Sequence, residues 1–321
     1  MKKLFKKVIW IAVLGALLVG CGVQGKGNKI ETSKTENNKA EMNSTEVKDL
    51  GILRIGVMAA ADSAPIFLAQ EKGYFEELGL KVNLEIFTNG ATKQSSIQAG
   101  ELDGAMVSMI QFLNNKAAGL DAVMTTSTDG RFPVVLGPGF EEKQDVKVGL
   151  MEVSVVNYLA DSYLKDYTME KVFINEMPVR MQMLMAGELD MAVLPEPMAS
   201  TAQLKGLEKR TYGNPEDFTP NAMIFTNAII ASHEEAVAAF HKAYNKAVEE
   251  IRTNEEVAKA ILIQKLELDE KVKDLMALPT YHETRIPTAE FIEDVRLWTE
   301  ALQGKRLEVS YDTLVTEAFV K

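Results

Sequence analysis

The chain has 321 residues, of which 46% are hydrophobic, and its formal net charge is −11 at pH 7. This length and apolar content allow a sizeable core in two lobes, while the acidic balance argues against nucleic-acid binding, which needs a basic surface. The single cysteine excludes a disulfide framework within the chain.

The first twenty residues have the layout of a secretory signal peptide. Four lysines within the first seven residues precede a nearly uncharged apolar run, 8–19, which is shorter than the roughly 20 residues of a membrane-spanning helix. The run ends in Leu18-Val19-Gly20-Cys21, which resembles the lipobox of bacterial lipoproteins. We therefore predict that residues 1–20 are removed and that Cys21 carries the lipid, diacylglycerol with palmitate. A plain signal peptide with a chance cysteine is the alternative.

Residues 21–50 are predicted to form the lipidated cysteine and a flexible tether. They are rich in Lys, Glu, Asn, Ser and Thr and lack apolar periodicity, so they cannot bury enough surface to offset the entropy of ordering. A tether of about 29 residues has a reach of roughly 30 Å. This predicts a soluble domain held at the extracytoplasmic face of the cell membrane by Cys21.

The region after the tether contains an internal repeat. Three pairs of segments match in the same order along the chain: 54–58 with 147–151, 81–86 with 171–176, and 99–103 with 186–190. The last pair reads Ala-Gly-Glu-Leu-Asp in both copies, and its glycine suits the left-handed end of a helix. A single five-residue match would be explained by chance, but three matches in order predict two related units.

Each unit is predicted to run strand, helix, strand, helix, strand. The predicted helices are 65–77, 92–99, 154–165 and 179–186, and the strands that follow the second helices are 104–107 and 191–194. Right-handed crossovers between such strands give parallel sheets covered by helices. We therefore predict an α/β fold with two doubly wound lobes, and further helices from residue 232 onward.

A two-strand hinge is predicted to join the lobes, with one strand near Thr125–Thr128 and a returning strand near Ala222–Ala231. We expect the C-terminal helices to pack on the first lobe. Lobe 1 is accordingly predicted to comprise residues 51–135 plus 222–321, and lobe 2 residues 136–221.

A ligand site is predicted beyond the carboxyl ends of the strands, where open α/β sheets collect their ligands. The candidate ligand-binding residues in these segments are Asp62, Ser63, Pro65, Gly90, Ala91, Thr92, Ser108, Met109, Met151, Glu152, Ser154 and Glu196. Glu196 is singled out because a Pro-Glu-Pro turn holds its carboxylate rigidly. For the serines, capping of a helix is the alternative role, and for a lone carboxylate it is a solvated or cap-bound group.

The segment 64–75, Ala-Pro-Ile-Phe-Leu-Ala-Gln-Glu-Lys-Gly-Tyr-Phe, followed by Leu78-Gly79-Leu80, resembles the opening of the nitrate/sulfonate/thiamine-precursor family of solute-binding proteins. The resemblance implies a type 2 periplasmic-binding-protein fold. It also implies the solute-binding lipoprotein of an ABC importer, a monomer that passes a small nutrient to a permease and its ATPase. By matching position, it gives a cleft-lining role to Pro65, Gly90, Ala91, Thr92, Ser108, Ser154 and Glu196.

One turn departs from the family pattern. After the first strand of the second unit, many oxyanion-binding members have a Gly-Ser or Ser-Thr-rich turn, whereas this chain reads Met151-Glu152-Val153-Ser154-Val155. A bulky apolar residue and a carboxylate replace small donors there. The departure favours an organic, nitrogen-bearing heterocycle such as a thiamine-pyrimidine precursor over sulfonate or nitrate.

Two other functions are open to a chain of this kind. Thiamine-pyrimidine synthases of the same fold use a cysteine-rich iron motif and a histidine, but this chain has only Cys21 and three histidines in its helical C-terminal part. We therefore predict no catalytic residue, no metal site, no cofactor and no enzyme activity. A ligand-sensing lipoprotein subunit of a membrane receptor is the second alternative.

Overall fold

The computed structural model of this protein describes residues 47–321. The predicted signal peptide, the lipid site at Cys21 and residues 22–46 of the predicted tether lie outside these residues. Within 47–321, no helix combines the length and the apolar character that crossing a membrane requires.

The chain alternates strands and helices in two successive units. The first contains β1 (Ile52–Met58), α1 (Ala64–Glu71), β2 (Lys81–Phe87), α2 (Gly90–Gln98), β3 (Gly104–Ser108), α3 (Met109–Ala117) and β4 (Ala122–Ser127). The second contains β5 (Val134–Leu136), β6 (Asp145–Leu150), α4 (Val155–Tyr163), β7 (Thr168–Phe173), α5 (Met177–Met185), β8 (Met191–Val193), α6 (Met198–Leu204) and β9 (Lys209–Arg210). The chain continues through β10 (Asn221–Thr226), α7 (Asn227–Thr253), α8 (Glu256–Lys265), α9 (Ala289–Gln303) and α10 (Tyr311–Leu314).

The strands form two five-stranded sheets of the same design. The first sheet has the order β2-β1-β3-β10-β4 and the second the order β7-β6-β8-β5-β9. In each, the first three strands are parallel, and the fourth strand, β10 or β5, runs antiparallel to both of its neighbours. The predicted fold class, two α/β lobes, is confirmed.

Helices cover both faces of the first sheet. On one face, α1 packs with α7 and α8, and the rings of Phe75 and Phe240 stack there with centroids 5.3 Å apart. On the other face, α3 packs with α9, which buries Ile292 and Val295. The long C-terminal part therefore completes the core of the first lobe.

Two predicted elements end earlier than expected. The first helix stops at Glu71, because Gly73 takes a left-handed conformation with φ of 71°, which turns the chain out of the helix. The returning strand stops at Thr226, whose hydroxyl accepts a hydrogen bond from Ile229 N and caps α7.

The predicted strand 171–176 is out of register with its counterpart 81–86. Thr168 pairs with Asp145 in the second sheet just as Lys81 pairs with Ile52 in the first, so β7 begins at Thr168. The strand cannot extend to residue 176, because Pro178 sits in the first turn of α5 and fixes the start of that helix.

The chain crosses between the sheets twice, at 128–133 and at 211–220. The hydroxyl of Thr219 donates to the carbonyl of Thr128 over 3.0 Å and accepts from Gly130 N over 3.1 Å. Thr128 N also donates to Asn221 O over 3.1 Å. The two crossovers therefore form one hydrogen-bonded joint. The predicted lobe limits stay a prediction; β5, which starts at Val134, belongs to the second sheet.

The repeated Ala-Gly-Glu-Leu-Asp segment packs its leucine over a glycine in the first strand of each unit. A Cβ placed on Gly56 would lie 2.7 Å from Leu102 Cδ1, and one on Gly149 would lie 2.5 Å from Leu189 Cδ1. At Gly56, the ring of Phe87 is also only 3.2 Å away. Only glycine leaves room for the leucine side chain to lie this close to the backbone of the first strand.

The aspartate at the end of the same segment links the third strand of each unit to the first strand of that unit through hydrogen bonds. Asp103 accepts hydrogen bonds from Arg54 N at 2.8 Å and from the Arg54 guanidinium. Asp190 accepts from Lys147 N, also at 2.8 Å, and forms an ion pair with Lys143. Because the preceding glycines both adopt φ of 73°, the segment is one structural device used twice.

Gly56→Ala is expected to lower the free energy of unfolding by about 1–3 kcal/mol, because the new methyl group overpacks the site. Gly149→Ala should cost less, since only the flexible end of Leu189 is in its way. Urea unfolding of a double-mutant cycle tests the contact: in a Leu102→Ala background, the cost of Gly56→Ala should drop to about half or less. An undiminished cost would show that Leu102 does not limit this space.

Candidate functional site

A cavity lies between the two sheets, at the carboxyl ends of the parallel strands in both of them. Its free volume is about 80 Å³, which is small beside the roughly 300–1,000 Å³ of pockets for drug-sized ligands. Residues from both lobes line it: Met58, Ala60, Asp62, Thr88, Gly90, Lys93, Met106, Val107, Ser108, Gln111, Phe132, Met151, Ser154, Val155, Val156, Asn175, Met177, Arg180, Pro195 and Asn221.

Asp62 is the acidic group of the cavity. It lies in the short 3₁₀ turn Ala61–Ser63 after β1, and it is only 4% exposed. Its Oδ2 accepts a hydrogen bond from Asn221 Nδ2 over 3.1 Å, while its buried Oδ1 has no partner among residues 47–321. Burial raises the pKa of Asp62 to about 6, against the attraction of Lys93.

Lys93 and Ser108 are further polar groups of the first lobe. Lys93, on α2, is 2% exposed, and burial lowers its pKa to about 8, an effect that the nearby carboxylate of Asp62 opposes. The hydroxyl of Ser108, at the end of β3, is buried without a hydrogen-bond partner in the described part of the chain. The Ser108 hydroxyl therefore retains an unused donor beside the cavity.

Arg180 on α5 supplies the positive charge of the second lobe. It is 2% exposed, and burial lowers its pKa to about 10, although Glu176 counteracts this. Its Nε and Nη1 are buried and meet no acceptor within residues 47–321. A guanidinium edge with two free N–H groups suits the two oxygens of an anionic group.

Two serines for which helix capping was the alternative role instead hydrogen-bond to a backbone carbonyl at, or one residue after, the end of the preceding strand. Ser63 Oγ donates to Met58 O over 2.7 Å, and Ser154 Oγ donates to Met151 O over 2.5 Å. Neither hydroxyl makes a capping hydrogen bond. The alternative role considered for these serines is thus wrong, and the same strand-to-turn bond recurs in both lobes.

The structure brings some of the predicted ligand-binding residues to the cavity and leaves others away from it. The residues that line it are Asp62, Gly90, Ser108, Met151 and Ser154. The other predicted residues do not line it. Of these, Ser63, Pro65, Met109 and Glu196 are buried elsewhere, and Ala91, Thr92 and Glu152 are exposed. Contact of any of them with a ligand stays a prediction.

Glu196 is placed differently from the prediction, because its carboxylate is fully used inside the protein. It is completely buried, and Oε1 accepts from Lys209 Nζ at 2.7 Å and from Ala277 N at 3.2 Å. Its Oε2 accepts from Ser200 N and Oγ at 3.1 and 2.7 Å. Lys209 Nζ also donates to Leu275 O over 2.6 Å. The geometry therefore makes Glu196 a connector between lobe 2 and the C-terminal part.

Lys93, Arg180 and Phe132, which the sequence places near the cleft, line the cavity but are not among the candidate ligand-binding residues, and Gln111 and Asn221 were missed. Arg180 lies in a segment that the strand-end rule indicates, and Lys93 is the residue after Thr92. The rule therefore indicates the part of the chain that lines the cavity, but it cannot tell which of two neighbouring side chains points into the cavity.

Side-chain contacts also join the two lobes directly. Asn89 and Glu176, which precede α2 and α5 as their N-caps, hydrogen-bond to each other through their side chains. On another side, Trp298 Nε1 of α9 donates to Asp161 of α4 over 3.0 Å, and the Trp298 and Tyr158 rings meet edge to face. These contacts join the two lobes outside the lining of the cavity.

Comparison with known proteins gives a family and a fold. The model of the family described as NMT1/THI5 like matches residues 60–258. A zinc-bound ligand-binding component of an ABC-type import system from Staphylococcus aureus has a TM-score of 0.72 at 14% identity, covering 84% of this chain and 98% of its own. The alkanesulfonate-binding protein SsuA of Xanthomonas axonopodis pv. citri, bound to MOPS, gives 0.63 at 18% identity, covering 85% and 99%.

Two further similarities involve nitrate import. The periplasmic nitrate-binding protein NrtA from Synechocystis has a TM-score of 0.59 at 14% identity and covers 83% of this chain and 91% of its own. A curated relative, the nitrate import ATP-binding protein NrtC of Synechococcus elongatus, is 39% identical over 59 residues. That match spans 18% of this chain but only 9% of the relative's length.

Asp62→Asn is expected to raise the free energy of unfolding of the solute-free protein by about 1–3 kcal/mol at pH 7. The folded chain binds a proton at Asp62 below about pH 6, while the ordinary value is 3.8. The stability that this protonation gives is complete below the ordinary pKa and is lost as the pH rises through 6. The advantage of the variant should therefore shrink as the pH falls from 7 to 4.

Urea unfolding at pH 7, 5.5 and 4 measures this difference. The exposed Asp145→Asn is the matched control and should leave stability nearly unchanged. An advantage of Asp62→Asn that stays constant or grows toward pH 4 would contradict the burial of an ionised carboxylate.

Lys209→Met should lower the free energy of unfolding by about 3–5 kcal/mol, because it leaves the Glu196 carboxylate buried without its cation. Adding Glu196→Gln to this variant should restore part of the loss, whereas Lys205→Met, at an exposed position of the same lobe, should change little. Thermal and urea unfolding provide the measurements. A double variant that is no more stable than Lys209→Met alone would rule out the pairing as the cause.

Proposed function

The chain belongs to the NMT1/THI5-like family, and from that premise we propose that it is the extracytoplasmic solute-binding component of an ABC importer. It captures a small organic nutrient, of the thiamine-pyrimidine-precursor, sulfonate or nitrate class, between its two lobes. It then delivers this solute to a permease that works with an ATPase. The lipid on Cys21 holds it at the membrane as a monomer.

The observation that carries this proposal is the set of buried polar atoms without partners around the cavity. They come from both lobes: Asp62 Oδ1 and Ser108 Oγ from the first, and Arg180 Nε and Nη1 from the second. Each such atom costs about 1–3 kcal/mol when it stays unsatisfied. A solute that satisfies them on both sides would hold the lobes together, as in domain closure around a ligand.

The relatives agree with this role. SsuA of Xanthomonas axonopodis is an alkanesulfonate-binding protein, NrtA of Synechocystis is a nitrate-binding protein, and NrtC of Synechococcus elongatus is a nitrate import ATP-binding protein. Two of these bind small solutes and the third belongs to an import system. Their names support a small solute and an import system for this chain.

Binding without catalysis is the role we propose, and the positions of the histidines favour it. His233 is exposed on α7, and His241 is buried, where it bonds to Thr125 and Val237 O. His282 contacts Asp129 and Glu216 at the crossovers. None of these three side chains lines the cavity, so no histidine base faces a substrate there.

Native mass spectrometry of the full-length protein, released gently from detergent, tests the proposal. We expect a fraction of molecules to carry one small molecule, and Arg180→Gln should abolish that species because the ligand loses a charged hydrogen-bond partner. Lys205→Gln, which removes an exposed positive charge from the same lobe, should retain it. Small-angle scattering should then show a larger radius of gyration once the solute is removed. A protein that carries no solute and takes up none from a metabolite extract would contradict the proposal.

A further inference from the structure

The lining of the cavity contains three buried ionisable side chains, and two of them have buried polar atoms without a hydrogen-bond partner among residues 47–321. Asp62, Lys93 and Arg180 are each at most 4% exposed. Asp62 and Lys93 attract each other, but Asp62 Oδ1 and Arg180 Nε and Nη1 are buried without a hydrogen-bond partner among residues 47–321. Other buried charges are paired: Glu196, for example, has Lys209 at 2.7 Å. Since buried charges in proteins are normally paired, the partner of these three is expected to come with the ligand. This step rests on the proposed function.

The sum of these three charges predicts the charge of the solute. Lys93, with a pKa of about 8, and Arg180, with a pKa of about 10, are both protonated at pH 7, and Asp62, with a pKa of about 6, is largely ionised. The buried lining of the cavity then holds two positive charges and one negative charge. Glu176, which attracts Arg180, is exposed and hydrogen-bonds to Asn89, so it is not counted with the buried charges. A single negative charge on the solute makes the closed cavity neutral, which minimises the cost of desolvation.

The hydrogen-bond partners of the cavity set a second requirement. Asp62 Oδ2 already accepts from Asn221, whereas Oδ1 is buried without a donor in the described chain. The free N–H groups of Arg180 and the free hydroxyl of Ser108 need acceptors. The solute must therefore offer acceptors on one side and an N–H or O–H group on the side of Asp62.

We propose that the solute is a small monoanion that carries at least one hydrogen-bond donor. Arg180 and Lys93 hold its anionic group, and Asp62 accepts from its donor. Nitrate and unsubstituted alkanesulfonates have the charge but lack the donor, and an uncharged pyrimidine has donors but leaves one positive charge without a counterion. Hydroxylated or amide-bearing sulfonates and carboxylates, and heterocyclic acids with an N–H group, meet both requirements.

Matched probes test the two requirements separately. Calorimetric titrations of the full-length protein in detergent compare 2-hydroxyethanesulfonate with ethanesulfonate, and lactate with propionate. In at least one pair, the member with the hydroxyl should bind at least 10-fold more tightly. The uncharged 4-amino-5-hydroxymethyl-2-methylpyrimidine should bind more weakly than that member.

Variants assign the requirements to residues. Asp62→Asn should reduce the preference for the hydroxylated probe to less than threefold, because an amide oxygen accepts more weakly than a carboxylate. Arg180→Gln should weaken both members of a pair at least 10-fold, and Lys93→Gln, a second variant that removes a cavity charge, should do so as well. Lys205→Gln should bind like the unmodified protein, and circular dichroism checks that each variant is folded.

The outcomes separate this inference from the proposed function. Equal affinity for the members of each pair, or tighter binding of the uncharged pyrimidine, would overturn the inference while leaving a solute-binding protein. If no probe binds, the mass of the co-purified solute decides: a monoanion with a donor supports the inference, and any other solute overturns it. A protein that binds no probe and carries no solute would lose the proposed function as well.

Discussion

Both lobes depend on one repeated contact, in which a leucine packs over a glycine of the first strand and the next aspartate bonds to that strand. Leu102 over Gly56 and Leu189 over Gly149 fix the third strand of each unit beside the first. Parallel neighbours end at the same edge of a sheet, so this contact also brings together the turns that follow the strands. The position of the cavity is thus a consequence of a packing contact at some distance from it.

The turn that carries Asp62 is held in place by both lobes. Ala61 N donates to the backbone carbonyl of Glu196 over 2.7 Å, and the hydroxyl of Tyr281 donates to Ala61 O over 2.8 Å. The Pro-Glu-Pro turn therefore contributes its backbone to the site, while its carboxylate joins Lys209 to the C-terminal part. A group positioned in this way needs little rearrangement to receive a ligand.

The sequence allowed the architecture to be predicted, because the repeat and the alternation of strands and helices are local patterns. The rule that ligands collect beyond the carboxyl ends of strands also indicated segments that line the cavity, since it follows from the parallel order of strands alone. It did not separate single residues: Asp62 and Ser63 were both predicted, but only Asp62 lines the cavity, and next to the predicted Thr92 it is Lys93 that does so. Which neighbour points inward depends on the turn geometry. For Glu196, the decisive partners are Lys209 and Ala277, and no local pattern identifies contacts so distant in sequence.

The unpaired groups of the cavity also bear on how binding and closure are coupled. With the rims in contact, Asp62, Lys93 and Arg180 are removed from water, and polar atoms of Asp62 and Arg180 have no hydrogen-bond partner among residues 47–321, whereas separated lobes would let water solvate them. On the proposed function, the empty protein is therefore expected to favour separated lobes, and a solute shifts the population by interacting better with the closed form. Asn89–Glu176 and Trp298–Asp161 then supply contacts that form only when the rims meet. If these charges were paired inside the protein, the closed form would be stable without a solute. Closure would then occur whether or not the cavity is occupied.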